Sequence, residues 1–101
     1  MSHVYVTAFI TPKPGQEETL EKELRAVVDL VRQEPGCIRY NLHRSSQGAT
    51  PAFLFYETWA SMDALEKHAN TPHIQAMREK TAALRATSTV QIWEEADVEN
   101  P

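Results

Sequence analysis

Apolar residues recur every three or four positions between residues 16 and 31 of this chain. They are spaced at i, i+4, i+7, i+8 and i+11, and they are Leu20, Leu24, Val27, Val28 and Val31. A stripe with this period is typical of an amphipathic helix that packs one face on a core. The pattern predicts a helix that begins near Gln16 and ends at Pro35-Gly36, which cannot continue it.

Four shorter segments are rich in β-branched and aromatic residues, which indicates β-strands. The segments are residues 4–10, 37–44, 52–59 and 87–93. Residues 4–10 are apolar at nearly every position, as in a strand that is buried on both faces. In the second segment Ile38, Tyr40 and Leu42 alternate, so we expect them on one side of the strand.

A second helical region lies between the third and fourth strands. Ser61 is a suitable N-cap for a short helix, and Thr71-Pro72 can cap a further one. The residues expected to face inward are Met62, Leu65 and Ala69 in the first helix and Ile74, Met77, Thr81 and Leu84 in the second. The region is therefore predicted to be kinked or broken.

The predicted element order is β-α-β-β-α-β, which is typical of the ferredoxin-like split βαβ arrangement. This α+β fold has a four-stranded antiparallel sheet with helices on one face. The other face would display Leu54, Tyr56 and further apolar residues from the first and last strands. A monomer rarely exposes such a patch, so we expect a homodimer that packs sheet face against sheet face. The alternative is a monomer in which long polar side chains and the tail cover this face.

Length and charge narrow the class of protein. The 101 residues suit one domain, with a core over residues 4–93 and an acidic tail over residues 94–101. The formal net charge is -4 and the ten lysines and arginines are scattered among acids, which does not favour a nucleic-acid partner. There is neither an apolar run of membrane-spanning length nor a signal-peptide pattern, so we expect no membrane partner and a cytoplasmic location.

The third strand carries the candidate chemistry. Phe53, Phe55, Glu57 and Trp59 share one side of it, and Leu54 and Tyr56 share the other. Burying an ionised Glu57 among these aromatic side chains costs several kcal/mol of stability unless the carboxylate is paired or hydrogen-bonded. His68 lies at the margin of the inward face of the following helix, so a contact between Glu57 and His68 is geometrically plausible. Such a pair could serve as an acid and base beside an apolar cavity.

The alternative is that Glu57 and His68 only tie the helix to the sheet. Other candidates also have a structural interpretation: Trp59, Tyr40 and Met77 can fill the core, and His43 can face solvent. His73 lies in the first turn of a helix, where the helix dipole disfavours a positive charge. The histidine spacing matches no familiar metal-ligand pattern and Cys37 is the only cysteine, so we expect no metal site.

Several motifs together resemble the antibiotic biosynthesis monooxygenase family. They are EPGCIRY at positions 34–40, Phe53-x-x-x-Glu57-x-Trp59, Ala64-Leu65-x-x-His68 and Thr71-Pro72-His73. The resemblance spans residues 4–93 and is closest to the small quinol-monooxygenase-like members. It implies a dimeric α+β barrel with a pocket between sheet and helices in each subunit. Some members oxidise hydroquinones or anthrones with dioxygen and without metal, flavin or haem, so the resemblance implies no cofactor.

Individual positions refine what the resemblance implies. His43, Trp59 and Arg78 match polar pocket positions of the aromatic-polyketide oxygenases, but Phe55 and Leu65 replace polar residues of those enzymes. Haem-degrading members carry Asn, Trp and His where this chain has Ala8, His68 and Arg78, so haem cleavage is not expected. Glu57 and His68 match the quinol-oxygenase-like branch, which also includes isomerases of small phosphorylated sugars.

The resulting hypothesis is a cofactor-independent monooxygenase that acts on a small quinol or phenol. His68 is the expected general base and Glu57 the residue that orients or charges it. The expected substrate-binding residues are His43, Tyr40, Phe55, Trp59, His73, Met77 and Arg78. Two alternatives stay open: an isomerase that uses the same acid-base pair, and a non-catalytic dimeric module that binds a small molecule.

Overall fold

A computed structural model describes residues 3–97 of the chain. Its elements follow one another in the order β1 (Val4–Pro12), α1 (Glu17–Ala26), α2 (Val28–Arg32), β2 (Cys37–Arg44), β3 (Phe53–Trp59), α3 (Met62–Ala69), α4 (Pro72–Ala82) and β4 (Arg85–Trp93). The first four residues of the predicted tail, 94–97, are in neither a helix nor a strand, and residues 98–101 lie outside the described residues. Within residues 3–97, no helix combines the length and the apolar content that a membrane span requires.

The four strands form one sheet in the order β2-β3-β1-β4, and every neighbouring pair is antiparallel. The helices pack on one face of the sheet, which confirms the predicted α+β ferredoxin-like fold. β1 and β3 are the central strands, and their side chains on the helix side are the most deeply buried in the sheet. A polar residue at one of these positions is therefore enclosed by apolar neighbours.

The predicted apolar stripe of the first helical region is confirmed, because all five of its residues are buried in the core. The helix itself is interrupted: α1 ends at Ala26 and α2 begins at Val28. Val27, between them, keeps helical backbone angles, and its carbonyl oxygen accepts a hydrogen bond from the amide of Val31 at 3.0 Å. Val27 and Val28 are consecutive β-branched residues, and their restricted side-chain rotamers lower the helix propensity at this point.

The predicted alternation of β2 is wrong at Ile38, whose side chain is 52% exposed while Tyr40 is buried. Strand pairing shows why: Cys37 pairs with Trp59 but Arg39 pairs with Thr58, so the register shifts between them. An extra residue of this kind is a β-bulge, and it reverses the side on which the preceding residues point.

Both predicted helix caps are confirmed. Oγ of Ser61 accepts a hydrogen bond from the amide of Ala64 at 3.1 Å, and Oγ1 of Thr71 accepts one from Ile74 at 3.4 Å. The inward position of Met62 is wrong, since its side chain is 45% exposed. Ala64 and His68 are the buried residues of α3, and residues two positions from them along a helix point elsewhere.

The sheet face turned away from the helices, called here the open face, carries the predicted Leu54 and Tyr56 together with apolar residues of the first and last strands. Tyr5, Thr7 and Phe9 are at every second position of β1, so their side chains share this face. Their partners on the neighbouring strands, which lie on the same face, are Trp93, Tyr56 and Leu54. Val90 and Ile92 of β4 pair with the buried residues Ala8 and Val6, so they lie on the helix side instead. Phe9 is 45% exposed on the open face. In the single chain, β1 is therefore buried on one face and not, as its sequence predicts, on both.

Candidate functional site

Glu57 lies near the middle of β3, on the helix side of the sheet, and only 4% of its surface is exposed. Its Oε1 accepts a hydrogen bond from the indole N–H of Trp59 at 2.9 Å. Alternation along the strand places both side chains on the same face, which brings the indole within reach of the carboxyl group. The polar partner that Glu57 needs is therefore supplied by its own strand.

His68 takes a different partner. Its Nδ1 lies 3.0 Å from Oε1 and 3.1 Å from Oε2 of Glu34, which is in the turn between α2 and β2. Oε2 of the same carboxyl group lies 2.6 Å from Nε2 of His73, at the start of α4. The side chains of Glu34 and His68 are 8% and 7% exposed. One buried carboxyl group thus joins three chain segments in what is called here the Glu34 cluster.

The predicted contact between Glu57 and His68 is corrected by these distances. Within residues 3–97, the hydrogen bonds of Glu57 and His68 go to Trp59 and Glu34 instead. Reasoning from the sequence missed Glu34 because a carboxylate just before Pro35-Gly36 looks like an exposed residue at a helix end. The only signal in the sequence was its position in the EPGCIRY motif, which carries no information on its partners.

The two buried groups have opposite pKa shifts. Burial raises the pKa of Glu57 from 4.5 to about 7; the hydrogen bond from Trp59 opposes this rise and the negative charge of Glu34 adds to it. Burial lowers the pKa of His68, although its hydrogen bond with Glu34 acts in the other direction. At neutral pH, Glu57 is therefore partly protonated and His68 is mainly neutral. The pair provides a proton donor and a proton acceptor at the same pH.

Aromatic rings surround the imidazole of His68. The ring centroids of Trp59 and His68 are 4.5 Å apart, and those of Tyr40 and His68 are 5.7 Å apart. Tyr40 also stacks on Phe55 with a centroid distance of 4.6 Å. Burial raises the pKa of Tyr40 far above its ordinary value, so its hydroxyl group stays protonated at neutral pH. These rings fix the imidazole and reduce its contact with water.

A cavity of about 290 Å³ lies between the helix side of the sheet and helices α3 and α4. Six of the predicted site residues line it: Tyr40, Phe55, Glu57, His68, Met77 and Arg78. The structure therefore brings the acidic group, the imidazole, the aromatic residues and one cation to the same enclosed space. It is open along β4, where Val90 and Ile92 of its wall are 61% and 52% exposed.

Three other predicted residues lie outside the wall of this cavity. Trp59 is fully buried behind it, where it contacts Glu57 and His68. His73 contributes to the Glu34 cluster. His43 is exposed and pairs with Leu54, which places it on the open face, opposite the cavity. The alternation of β2 after the bulge sends Tyr40 and Leu42 to the helix side and His43 to the other.

Several residues of the cavity wall were not predicted as site residues: Leu65, Thr81, Arg85, Ser88, Val90 and Ile92. Arg85 lies just outside the predicted fourth strand, which was expected to begin at residue 87. The strand order places β4 beside β1, so Ser88, Val90 and Ile92 of β4 lie in the cavity wall. The sequence pattern could not show which face of β4 would meet the cavity.

Two further features limit the chemistry of the site. Burial raises the pKa of Cys37 to about 11, and the negative charges of Glu34 and Glu57 contribute, so its thiol is protonated at neutral pH. Among the described residues, no group of three or more histidine, cysteine, aspartate or glutamate side chains has an arrangement that could hold a metal ion. The Glu34 cluster is a hydrogen-bonded network of protonatable groups.

Comparison with known proteins identifies the family. The model of the family described as antibiotic biosynthesis monooxygenase matches residues 3–80. The chain belongs to this family. The match includes β1 to β3, all of α3 and most of α4, and therefore Glu34, Glu57, His68 and His73.

Individual proteins that are similar to this chain agree with this assignment. Rv0793 of Mycobacterium tuberculosis, described as a candidate monooxygenase, is 31% identical over 82% of this chain and 80% of its own length. Its solved structure has a TM-score of 0.88 and covers 98% of this chain and 100% of its own. The structure of PA3566 from Pseudomonas aeruginosa has a TM-score of 0.89 at 33% identity, and covers 96% of this chain and 97% of its own.

A further relative is longer than this chain. The uncharacterized protein sll1783 of Synechocystis is 29% identical over 95% of this chain, which spans 65% of the length of that relative.

Proposed function

We propose that this protein is a monooxygenase that oxidises a small quinol or phenol with dioxygen and needs no bound cofactor. The observation that carries the proposal is the presence of a partly protonated Glu57 and a neutral His68 in the wall of one largely apolar cavity. Membership in the antibiotic biosynthesis monooxygenase family supports the reaction class. Groups whose pKa values are shifted in a cavity are candidates for acid-base catalysis.

His68 is the proposed general base. An ionised Glu34 can only accept hydrogen bonds, so it selects the imidazole tautomer that carries the proton on Nδ1. The lone pair is then on Nε2, and since His68 lines the cavity, we infer that this nitrogen meets the ligand. In this role Nε2 takes the proton from a substrate hydroxyl group. The phenolate that forms is electron-rich and can transfer an electron to dioxygen.

The proposed reaction balances without another reductant. Conversion of a hydroquinone to a hydroxyquinone removes four electrons from the substrate, and reduction of dioxygen to one inserted oxygen atom and one water takes up four. A C–O bond forms between the ring and one oxygen atom, and the O–O bond then breaks. The oxygen atom that leaves as water takes up two protons, which equal the two protons that the substrate loses in net. Glu57 supplies one of them to the leaving oxygen atom and regains a proton from His68 or solvent. The apolar part of the wall limits contact between the intermediate and water, which reduces competing reactions.

The second candidate function is binding of a small molecule without catalysis. The observation that favours it is the cavity volume of about 290 Å³, close to the lower limit of about 300 Å³ for typical ligand sites. An isomerase is the remaining enzymatic alternative, because the same donor and acceptor could move a proton between two carbon atoms without oxygen. Oxygen consumption separates both from the monooxygenase.

Oxygen uptake with menadiol-type and catechol-type hydroquinones tests the proposal. Wild-type protein should consume oxygen faster than buffer does, and His68→Gln should abolish the excess. Added catalase should return no more oxygen than it does in the buffer control, because a monooxygenase forms water whereas a simple quinol oxidase forms hydrogen peroxide. A wild-type rate equal to the buffer rate would disprove the oxygenase, and an undiminished rate in His68→Gln would disprove the base assignment.

His43→Gln is the matched substitution of a histidine on the open face. Because His43 is exposed and lies outside the cavity wall, this variant should keep the wild-type rate of oxygen uptake. A loss of activity as large as that of His68→Gln would instead place His43 in the site, as the family resemblance implied.

A homodimer formed through the open faces is part of the proposal. Phe9 and Trp93 are 45% and 48% exposed on this face, and Tyr5 and Tyr56 add aromatic surface. The indole N–H of Trp93 donates a hydrogen bond to Oγ1 of Thr7 at 2.8 Å, which holds the large ring against the sheet. An ordered aromatic surface of this kind favours association between copies of the chain.

A further inference from the structure

Two arginines lie at the edge of the cavity. Arg78 is on α4 and Arg85 is the first residue of β4, and both belong to the cavity wall. Nη1 of Arg85 donates hydrogen bonds to Oγ1 of Thr81 at 3.1 Å and to the carbonyl oxygen of Arg78 at 3.5 Å. Nη1 of Arg78 donates to the carbonyl oxygen of Ala69 at 3.4 Å. The two residues are called here the arginine pair.

The arginine pair has no carboxylate partner among residues 3–97. The ion pairs in this part of the chain join Arg25 and Arg44 to Glu21, Lys67 to Asp63, and His68 and His73 to Glu34. Two cations that stay unpaired at the edge of a cavity leave several guanidinium N–H groups for a ligand.

The positive charge of Arg78, one member of the pair, reaches the titratable groups of the cavity. The charge of Arg78 lowers the pKa of Glu57, of Tyr40 and of His68, although these effects are smaller than that of burial. Among the described residues, Glu57 is the only carboxylate in the cavity wall, and it is buried on β3. The cavity therefore has an apolar interior and an edge with excess positive charge.

We propose that the arginine pair binds a carboxylate substituent of the ligand, so that the cavity selects an aromatic carboxylate whose ring lies between Phe55 and Met77. The planar guanidinium group matches a carboxylate with two parallel hydrogen bonds. A volume of about 290 Å³ leaves room for one aromatic ring with small substituents. The aromatic part of this ligand rests on the proposed function, but the recognition of its charge rests on the arginine pair alone.

Anaerobic calorimetric titration with two matched ligands tests this inference. The ligands are 2,5-dihydroxybenzoate and 2,5-dihydroxybenzamide, which have nearly the same shape and differ in charge. Wild-type protein should bind the carboxylate at least about tenfold more tightly than the amide. High salt should reduce this preference, since the arginine pair is at the edge of the cavity and accessible to ions. Equal affinity for the two ligands would overturn the inference.

Substitutions assign the preference to the arginine pair. Arg85→Gln should lower the affinity for the carboxylate about tenfold and leave that for the amide unchanged, and Arg85→Lys should recover part of the loss. Arg78→Gln, on the exposed surface of α4, should act in the same direction and provides a second variant if Arg85→Gln does not fold. Arg44→Gln removes a cation outside the cavity wall and should keep the full preference. An equal loss for both ligands, or the same change in Arg44→Gln, would overturn the assignment.

The titrations need no turnover, so the two proposals fail separately. A preference for the carboxylate without oxygen uptake would leave the arginine pair assigned and would disprove the monooxygenase. Oxygen uptake at equal kcat/KM for both ligands would leave the monooxygenase in place and would disprove the selection of a carboxylate.

Discussion

The indole N–H of Trp59 and Oε1 of Glu57 are 2.9 Å apart, and the two residues are separated by one position on β3. This hydrogen bond favours the ionised form of Glu57 and limits the rise in its pKa that burial causes. We expect Trp59→Phe to raise the pKa of Glu57 above its present value of about 7. Carbon-13 NMR titration of the Glu57 carboxyl group would measure the shift.

The control for this prediction is Trp93→Phe. Trp93 donates its indole hydrogen bond to Thr7 on the open face, away from Glu57. Its replacement should leave the titration of Glu57 unchanged. If Trp59→Phe also leaves the titration unchanged, the hydrogen bond does not set the protonation of the site.

The raised pKa of Glu57 predicts how stability depends on pH. The unfolded state loses its proton near 4.5 and the folded state near 7, so stability from this group is present below pH 4.5 and is lost as the pH rises to about 7. Relative to Glu57→Gln, wild-type protein should lose roughly 2 kcal/mol of unfolding free energy between about pH 5 and pH 8. Urea denaturation of both proteins at the two pH values measures the difference.

Glu66→Gln, a change at an exposed position of α3, is the control and should follow the wild-type pH dependence. The lowered pKa of His68 also makes stability depend on pH. Because wild type and Glu57→Gln both contain His68, this contribution cancels when their unfolding free energies are compared at each pH. A constant difference between wild type and Glu57→Gln across this range would contradict the raised pKa.

Glu34 should act as a positioning residue for His68. The carboxylate of Glu34 accepts hydrogen bonds from the imidazoles of His68 and His73. In Glu34→Gln, one of the two oxygen atoms is replaced by an NH₂ group, which donates hydrogen bonds, so one imidazole loses its acceptor. We expect the free energy of unfolding to fall by about 1–3 kcal/mol and kcat to fall with little change in KM. Nitrogen-15 NMR should show a proton on Nδ1 of His68 in wild type and a mixture of tautomers in the variant.

Glu21→Gln provides the comparison, because Glu21 forms ion pairs with the exposed residues Arg25 and Arg44. Glu21→Gln should lower the free energy of unfolding by less than about 1 kcal/mol and should leave the tautomer of His68 unchanged. A purely structural role of Glu34 would predict lower stability with an unchanged tautomer and an unchanged kcat.

Gly36 controls how closely the turn that carries Glu34 approaches α3. It has a φ of 83°, and a Cβ atom at this position would lie 2.6 Å from Cβ of Ala64. Gly15 has the same φ, but its added Cβ would meet no atom within 4 Å. We expect Gly15→Ala to lower the free energy of unfolding by about 1–2 kcal/mol because of backbone strain. Gly36→Ala should lower it by about 1–3 kcal/mol more, because the added Cβ atom also clashes with Ala64.

Thermal or urea denaturation of the two glycine variants measures these costs. Gly36→Ala should also weaken the hydrogen bond between Glu34 and His68, because α3 must move away from the turn. Equal destabilisation by the two substitutions would mean that the contact with Ala64 relaxes without cost.

The proposed dimer predicts a response to charge on the open face. Phe9→Glu should shift the protein from dimer to monomer, because it puts a carboxylate where two aromatic surfaces meet. Met62→Glu is the matched control, since Met62 is also 45% exposed but lies on α3. Size-exclusion chromatography with light scattering measures the mass, and a wild-type value near 11.5 kDa at micromolar concentration would contradict the dimer.

Much of the fold could be predicted because its signals are local. The spacing of Leu20, Leu24 and Val31, the caps at Ser61 and Thr71, and the alternation of β3 each depend on neighbours a few positions apart. The errors arose where a non-local contact changes a local pattern. The bulge between Cys37 and Arg39 exposes Ile38, and the packing of Ala64 and His68 turns Met62 outward.

The sequence by itself determined that Glu57 shares one side of β3 with Phe55 and Trp59, because side chains alternate along a strand that has no bulge. Only the tertiary structure decided which groups meet it. Glu34 reaches His68 and His73 across 34 and 39 positions, and Arg85 reaches the cavity through the strand order. These contacts depend on how separate elements pack in space, and a carboxylate in a turn or an arginine at a strand end has the same local signature whether it is buried in a site or exposed to water.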